Sequence, residues 1–319
     1  MILVTGATGF VGKEVVRRLL AEDSQQSVVV AVRRDNKLWP VRVLPRMAGD
    51  LESSTYWSVA LKGVSSIVHC AARVHVMADT AVDSLEEFRR INVLGTLNLA
   101  RQAADAGLRR FVFISSIGVN GAVTSQSPFT SKDRAEPHSP YAHSKYEAEL
   151  GLQALSVETG MEVVIIRPPL VYGADAPGNF GSLMRWLKRG IPLPLGAIYN
   201  QRSLVALDNL VDLIVTCLTH PAAANQTFLV SDGEDVSTTE LLRRMGRAMG
   251  CPARLVPVPA SWLKLAATLV GKQDIAQRLC SSLQVDIAKT RDLLGWRPPL
   301  SLDQGLKKAA GGDGRETVV

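Results

Sequence analysis

The chain predicts an α/β fold, a doubly wound parallel sheet followed by a smaller C-terminal α/β lobe, and three observations carry that expectation. Short β-branched apolar runs alternate with helical patterns from residue 1 to about residue 170. The runs are apolar enough to be buried on both faces, as parallel strands with crossover helices require. A glycine-rich turn, Gly6-Ala7-Thr8-Gly9-Phe10-Val11-Gly12, follows the first run and opens the first helix.

In chain order, strands are expected at 2–5, 28–32, 66–70, 110–115 and 162–167, with a further one before residue 50. Helices are expected at 12–21, 85–106 and 141–159, the first closed by an acidic polar turn and the second by Gly107. Pro168-Pro169 ends this regular alternation, and 172–195 reads as Gly- and Pro-rich loops with one helix around 182–189. The chain is therefore divided into a domain at 1–172 and a lobe at 173–319. Within the lobe, 204–207 and 227–230 read as strands that return to the main sheet. Ser237-Thr238-Thr239-Glu240 is a capping box opening a helix that ends at Gly250. A late helix is expected at 283–295, closed by Gly295 and followed by Pro298-Pro299. The short, polar tail from Gly311 reads as disordered. There is no internal repeat.

With 319 residues, 46% hydrophobic and 21% charged, the chain has the profile of a globular enzyme and not of a disordered segment. Its net charge of +6 is scattered over amphipathic patterns without aromatic interleaving, which argues against nucleic acid and suits anionic small ligands. Cys70, Cys217, Cys251 and Cys280 lack metal-ligand or disulfide spacing and read as buried small hydrophobes, so no metal is expected. No signal peptide and no run of about eighteen apolar residues is present, which sets the expectation of a cytoplasmic protein without a membrane span.

The chemistry gathers around Tyr141 and Lys145, in Ser139-Pro140-Tyr141-Ala142-His143-Ser144-Lys145, which share one helix face. A cation beside a phenol favours the phenolate and brings tyrosine within reach of proton transfer. Alone the pair would be a solvated surface pair, but a Ser115-Ser116 strand end and the glycine turn accompany it. Gly6, Gly9 and Gly12, with Thr8, Phe10 and Val11, set a helix N-terminus where a diphosphate binds. At the end of the second strand, where an acidic residue would hold the ribose hydroxyls of NAD, the chain has Arg33-Arg34. Two guanidiniums suit a 2′-phosphate, so NADP(H) is preferred, while Asp35 nearby leaves NAD(H) open. Asp50, with Leu51 after it, stands where a carboxylate accepts from the adenine amine.

On these motifs the chain resembles the extended short-chain dehydrogenase/reductases, particularly the nucleotide-sugar epimerases, dehydratases and 4-ketoreductases. The likeness runs in order from Gly6 to about Pro299. Val68-His69-Cys70-Ala71-Ala72 is similar to the family's strand along the nicotinamide ribose, and Asn92-Val93-Leu94-Gly95-Thr96 to its central helix. Arg167-Pro168-Pro169-Leu170-Val171-Tyr172-Gly173 is similar to its hinge. The resemblance implies a Rossmann domain with cofactor contacts from Cys70, Ala71, Ala72, Asn92, Lys145 and Pro168. Alignment of the serine motif onto Ser116-Ile117-Gly118-Val119-Asn120-Gly121 places the catalytic hydroxyl on Ser116 rather than Ser115. Asn120 stands where the family has tyrosine, which is expected to alter the substrate pocket.

The resemblance further implies that Tyr141 moves a proton on the substrate oxygen, Ser116 hydrogen-bonds it, and Lys145 lowers the tyrosine pKa and binds the ribose. Asn179 and Arg202 match positions that hold the substrate diphosphate; without the resemblance they are a loop turn and a strand-edge charge. Asp208 is expected as an N-cap, and the lone histidines His69, His75 and His143 carry no chemistry. The expected function is NAD(P)H-dependent reduction of a UDP-4-keto-6-deoxy-N-acetylhexosamine, forming a sugar such as UDP-N-acetylquinovosamine for surface polysaccharide, with Arg33-Arg34 fitting a dissociable NADPH. The alternative is a UDP-glucose or UDP-N-acetylglucosamine 4-epimerase that retains NAD, and a remote third is a non-catalytic NADP sensor. A homodimer through the helices at 85–106 and 141–159 is expected.

Overall fold

The computed structural model describes residues 1–22, 25, 27–34, 38–74, 84–269, 271 and 273–311. Asp35, His75 and the tail beyond Gly311 lie outside the described residues.

The first part of the chain runs β1 (Ile2–Thr5), α1 (Phe10–Glu22), β2 (Val28–Val32), β3 (Val43–Met47), α2 (Ser58–Leu61) and β4 (Ser66–His69). It continues with α3 (Ser84–Phe88), a π-helical turn (Arg89–Gly95), α4 (Thr96–Asp105), β5 (Arg110–Ile114), α5 (Pro140–Thr159) and β6 (Glu162–Arg167). The strands form a seven-stranded sheet in the order β3-β2-β1-β4-β5-β6 with β9 (Thr227–Leu229) at the far edge, every neighbour parallel. Strand order reverses between β1 and β4, and that switch opens a crevice outside the carboxyl ends of the strands. Side chains alternate across the sheet. Ile2 and Val4, with Val112 and Ile114, face one apolar layer, while Leu3, Phe111 and Phe113 face the other.

Pro168 and Pro169 separate β6 from β7 (Leu170–Tyr172), because a residue without an N–H cannot extend a ladder. The rest of the chain holds α6 (Asn179–Lys188), β8 (Arg202–Ala206), α7 (Leu207–Thr219), β9, β10 (Asp235–Val236) and α8 (Thr238–Ala248). It ends with α9 (Ala260–Leu269), α10 (Gln273–Cys280), α11 (Ala288–Leu294) and α12 (Leu302–Ala309). The expectation for the two lobe strands is half corrected. β9 joins β6 in the main sheet, but β8 lies between β7 and β10 in a separate three-stranded sheet.

Three local expectations are revised. The late helix starts at Ala288 and not at residue 283, because the preceding backbone bridges Leu283 to Arg202 and Val285 to Phe129. Gly295, at φ +60°, does close it. Asp208 is not an N-cap: Ala206 holds that position, and Asp208 sits in the first turn of α7, paired with Lys308. The Ser237 cap is present, its Oγ accepting from the Glu240 amide at 3.0 Å, while the helix it opens stops at Ala248. Among the described residues no helix is long and apolar enough to cross a membrane, and no group of three or more His, Cys, Asp or Glu is placed to hold a metal ion.

Candidate active site

The Tyr141-Lys145 pair is set by the start of α5. Ser139 caps the helix, its Oγ accepting from the Ala142 amide at 3.2 Å, and Pro140 occupies the first turn where no N–H is needed. One turn further on, the buried Lys145 ammonium donates to the Ile114 carbonyl at 2.8 Å. It also lies 4.4 Å above the Phe113 ring and 6.0 Å from the Tyr141 ring. The pair is thus docked on the carboxyl end of β5, at the crevice.

Burial dominates the electrostatics here. It pulls the Lys145 ammonium from its usual range down to about 8, with Cys70 and Glu149 working in the opposite direction. Burial likewise pushes the Cys70 thiol and the Tyr141 phenol each up to about 12. In the protein alone the phenol stands above its ordinary value, because burial prevails. The ammonium spends its contacts on a carbonyl and a ring face, and desolvation of the phenol prevails.

The two serines are distinguished by their neighbours. Ser115 is buried and donates its hydroxyl to Glu149. Ser116 is half-buried, and its Oγ accepts from the Gly118 amide at 3.1 Å, capping the short turn Ile117–Val119 and leaving its own hydrogen for another acceptor. Beneath them lies an ionic network that the sequence reading missed. Arg167 donates from Nε to both Glu149 oxygens at 3.0 and 3.2 Å and from Nη1 to Asn120 at 3.0 Å, with all three side chains buried. Asn120 in turn donates to the Thr130 carbonyl at 2.8 Å. It clamps the loop after β5. One signal was available: Glu149 lies four residues beyond Lys145 and eight beyond Tyr141, on the same helix face.

On the cofactor side, Gly6 takes φ +67°, and a Cβ there would stand 2.8 Å from the Ala71 nitrogen. Gly12 packs its α-carbon on the Gly6 carbonyl too closely for any side chain, and the Gly9 amide donates to that carbonyl at 2.9 Å. Helix α1 starts at Phe10, so amides around Thr8, Phe10 and Val11 belong to a first turn without intrahelical acceptors. The β4 end is held by Thr5, whose Oγ accepts from the Ala71 amide at 3.2 Å and meets His69 Nδ1 at 2.7 Å. His69 Nε2 meets Thr96 at 3.0 Å, and burial holds this imidazole neutral down to about 3.

Asn92, on the π turn, accepts from the Arg73 amide at 2.8 Å and donates to the Arg73 carbonyl and to Ser144 at 3.0 Å each. It fixes the irregular segment following Cys70, Ala71 and Ala72 against α5. Gly95 lets the Leu51 carbonyl approach the same turn, since a Cβ would meet it at 2.7 Å. Arg33 and Asp50 are both exposed and pair with each other at 3.4 Å, with Arg34 exposed beside them. The Pro168 carbonyl accepts from the Ile117 amide at 2.9 Å. The glycine turn, the helix start and the half-buried strand end fit a dinucleotide.

The two expected substrate residues come from the later part of the chain. Asn179 opens α6 after Gly178, at φ +73°, and only its backbone is described. Arg202 is no free strand-edge charge: its Nη1 donates to the carbonyls of Arg278 at 2.8 Å and Ser281 at 3.1 Å, at the end of α10. Burial, then Arg278, draws its pKa down. A second missed network ties the units together. The buried Tyr172 hydroxyl donates to Asp232 at 2.7 Å, and Asp232 accepts from the Ala206 amide and from Asn209.

Comparison with known proteins agrees with this geometry. The profile of the NAD dependent epimerase/dehydratase family matches residues 2–231. A UDP-glucose 4-epimerase of Vibrio cholerae is 49% identical over 97% of this chain and 94% of its own. Among solved structures, MoeE5 in complex with UDP-glucuronic acid and NAD is 25% identical with TM-score 0.76, covering 98% of both chains. The UDP-glucose 4-epimerase of Thermotoga maritima shares the fold, with TM-score 0.77 at 21% identity over 98% of this chain and 97% of its own. With its glycine turn, its serine, tyrosine and lysine at one crevice and a profile match over most of its length, the chain belongs to the NAD dependent epimerase/dehydratase family.

Proposed function

We propose that the protein is a UDP-hexose 4-epimerase working with retained NAD, the alternative weighed in the sequence and favoured over reduction by the 49% identical relative described as a UDP-glucose 4-epimerase. The geometric observation that carries it is the placement of Tyr141, Lys145 and Ser116 around the carboxyl end of β5, beside the glycine turn of β1. Bound nicotinamide would supply the acceptance and return of hydride at the sugar carbon.

The residues do the remaining work. Tyr141 takes the proton from the sugar hydroxyl as the carbon is oxidised and returns it when the carbon is reduced on its other face. Lys145 supplies positive charge near the phenol and offsets the cost of its ionisation inside a buried site. Ser116 directs its hydroxyl hydrogen to the reacting oxygen, and Ser115 cannot replace it because Glu149 holds that hydroxyl. The amides at the start of α1 hold the cofactor diphosphate. Asn179 and Arg202 are proposed to meet the substrate diphosphate; for Arg202 this leaves the nitrogens other than Nη1.

A second reading, reduction of a UDP-4-keto sugar with NADPH, is favoured by one observation, the exposed Arg33-Arg34 at the end of β2. The test is to incubate purified protein with UDP-glucose and with UDP-N-acetylglucosamine and measure the 4-epimers, then assay cofactor released on denaturation. Interconversion with released NAD supports epimerisation. Stoichiometric loss of added NADPH on a UDP-4-keto-6-deoxy sugar, without epimers, replaces it with reduction.

The same reading includes a homodimer through α4 and α5, with Leu94 exposed on the π turn before α4 and Leu150 and Val157 exposed along α5. Two such pairs of helices form a four-helix interface.

A further inference from the structure

Helix α9 has an apolar face that the fold leaves uncovered. None of its residues is fully buried, and only Ala260, Leu263 and Ala267 are half-buried against the lobe. Trp262, Leu265 and Leu269 are 71%, 62% and 80% exposed. With the exposed Ala266 they recur at intervals of three and four, so they form one stripe pointing away from the lobe. Tyr199, Val256 and Ile275 are also exposed on neighbouring segments: α10 packs on α9, and Tyr199 lines a cavity of about 540 Å³ with Pro259 and Ala260 where α9 begins.

The charge on this part of the chain points to the occupant. Residues 251–281 hold four cations, Arg254, Lys264, Lys272 and Arg278, against the single carboxylate of Asp274. Arg254, Lys264 and Arg278 are exposed. α9 itself has no acidic residue. A tryptophan-and-leucine stripe on a short helix, in a segment with an excess of cations whose long stems let the charge stay in water, has the chemistry of a helix lying in a lipid headgroup layer. A second copy of this chain would bring two net-positive segments together, whereas an anionic surface neutralises them.

We propose that α9, with the adjoining α10, is an interfacial docking site that seats the protein on an anionic phospholipid bilayer, the Trp262-Leu265-Leu269 stripe entering the headgroup boundary and Lys264 and Arg278 meeting the lipid phosphates. The site stands apart from the Tyr141 crevice and does not depend on which sugar reaction runs there.

The test is sedimentation of the full chain with vesicles of phosphatidylcholine containing one quarter phosphatidylglycerol, and with vesicles of phosphatidylcholine alone. Binding is expected on the anionic vesicles and weaker on the neutral ones, falling as salt is raised. The double variant Leu265→Ser/Leu269→Ser, checked for an unchanged circular dichroism spectrum and melting temperature, should lose at least about tenfold in partition coefficient, because it removes two apolar insertions. Trp262→Phe isolates the Trp262 emission by difference, and that emission should shift to the blue on anionic vesicles. Absence of binding by the unaltered chain, or equal binding by the double variant, overturns the proposal. So does sedimentation velocity in buffer showing a self-association that the double variant abolishes, since the face would then be an interface between copies.

Discussion

Tyr141 and Lys145 are each drawn away from their ordinary pKa by burial, and in opposite senses, so pH is a direct probe of the site. Replacing Tyr141 with Phe should lower kcat by roughly 10²- to 10⁴-fold, the range for loss of a positioned proton carrier, while bound nucleotide is retained. Assay of turnover and of cofactor released on denaturation checks both halves. Lys145 falls from 10.5 to about 8 on burial, so its ammonium is lost as pH rises through about 8, and a rate that needs this cation should decline above that pH. Because Glu149 works to raise the lysine pKa, Glu149→Gln should move the alkaline limb of kcat/KM to lower pH. The same change leaves the Arg167 guanidinium buried without its carboxylate and should cost about 3–5 kcal/mol of stability in denaturant titrations. His69 titrates oppositely in consequence: the unfolded chain protonates near 6.5 and the folded imidazole only at about 3. Stability is therefore full above pH 6.5 and declines toward pH 3 by about 1.4 kcal/mol per pH unit for this one group. Urea titrations of His69→Gln between pH 6 and 4 should show that much less slope.

At the scale of elements, the legible parts were those whose signals are local. The strands at β1, β2 and β6, the glycine turn, the Ser139-Pro140 start of α5 and the Gly295 stop each carry their own steric or hydrogen-bonding reason. What sequence did not disclose depends on long-range partners. The stretch 283–287 has a helical pattern but pairs with Arg202 and Phe129, so its backbone is committed before α11 begins. Asn120 carries no local sign that Arg167, forty-seven residues away, takes its carbonyl oxygen. The sequence at Arg89–Gly95 has the pattern of plain helix where the structure has a π turn, although Gly95 marks the place where the Leu51 carbonyl must approach. Such turns recur at functional sites, and this one aims Asn92 at the strand beside the cofactor crevice. The α4–α5 pair carries the dimer prediction. Leu150→Glu places a charge at the centre of the proposed four-helix interface and should yield a monomer by light scattering, against a dimer for the unaltered chain.

For the whole molecule, the main sheet and the lobe are not consecutive along the chain. The backbone leaves at Pro168, builds β7 and β8, and comes back through α7 to set β9 beside β6 before leaving again. Tyr172, Asp232 and Asn209 tie that route together in the interior. A fragment of residues 1–172 lacks both β9 and the α7 residues, Leu210, Val211 and Ile214, that cover one face of the sheet. Such a fragment should be recovered as aggregate or as a species without a cooperative thermal transition by circular dichroism, unlike the full chain. The same route has a consequence during synthesis. β6 is complete once Arg167 has left the ribosome, yet its outer edge waits for Leu229. At roughly 5–20 residues per second the nascent sheet carries an unpaired edge for several seconds, and in that interval other nascent chains and holdase chaperones compete for it.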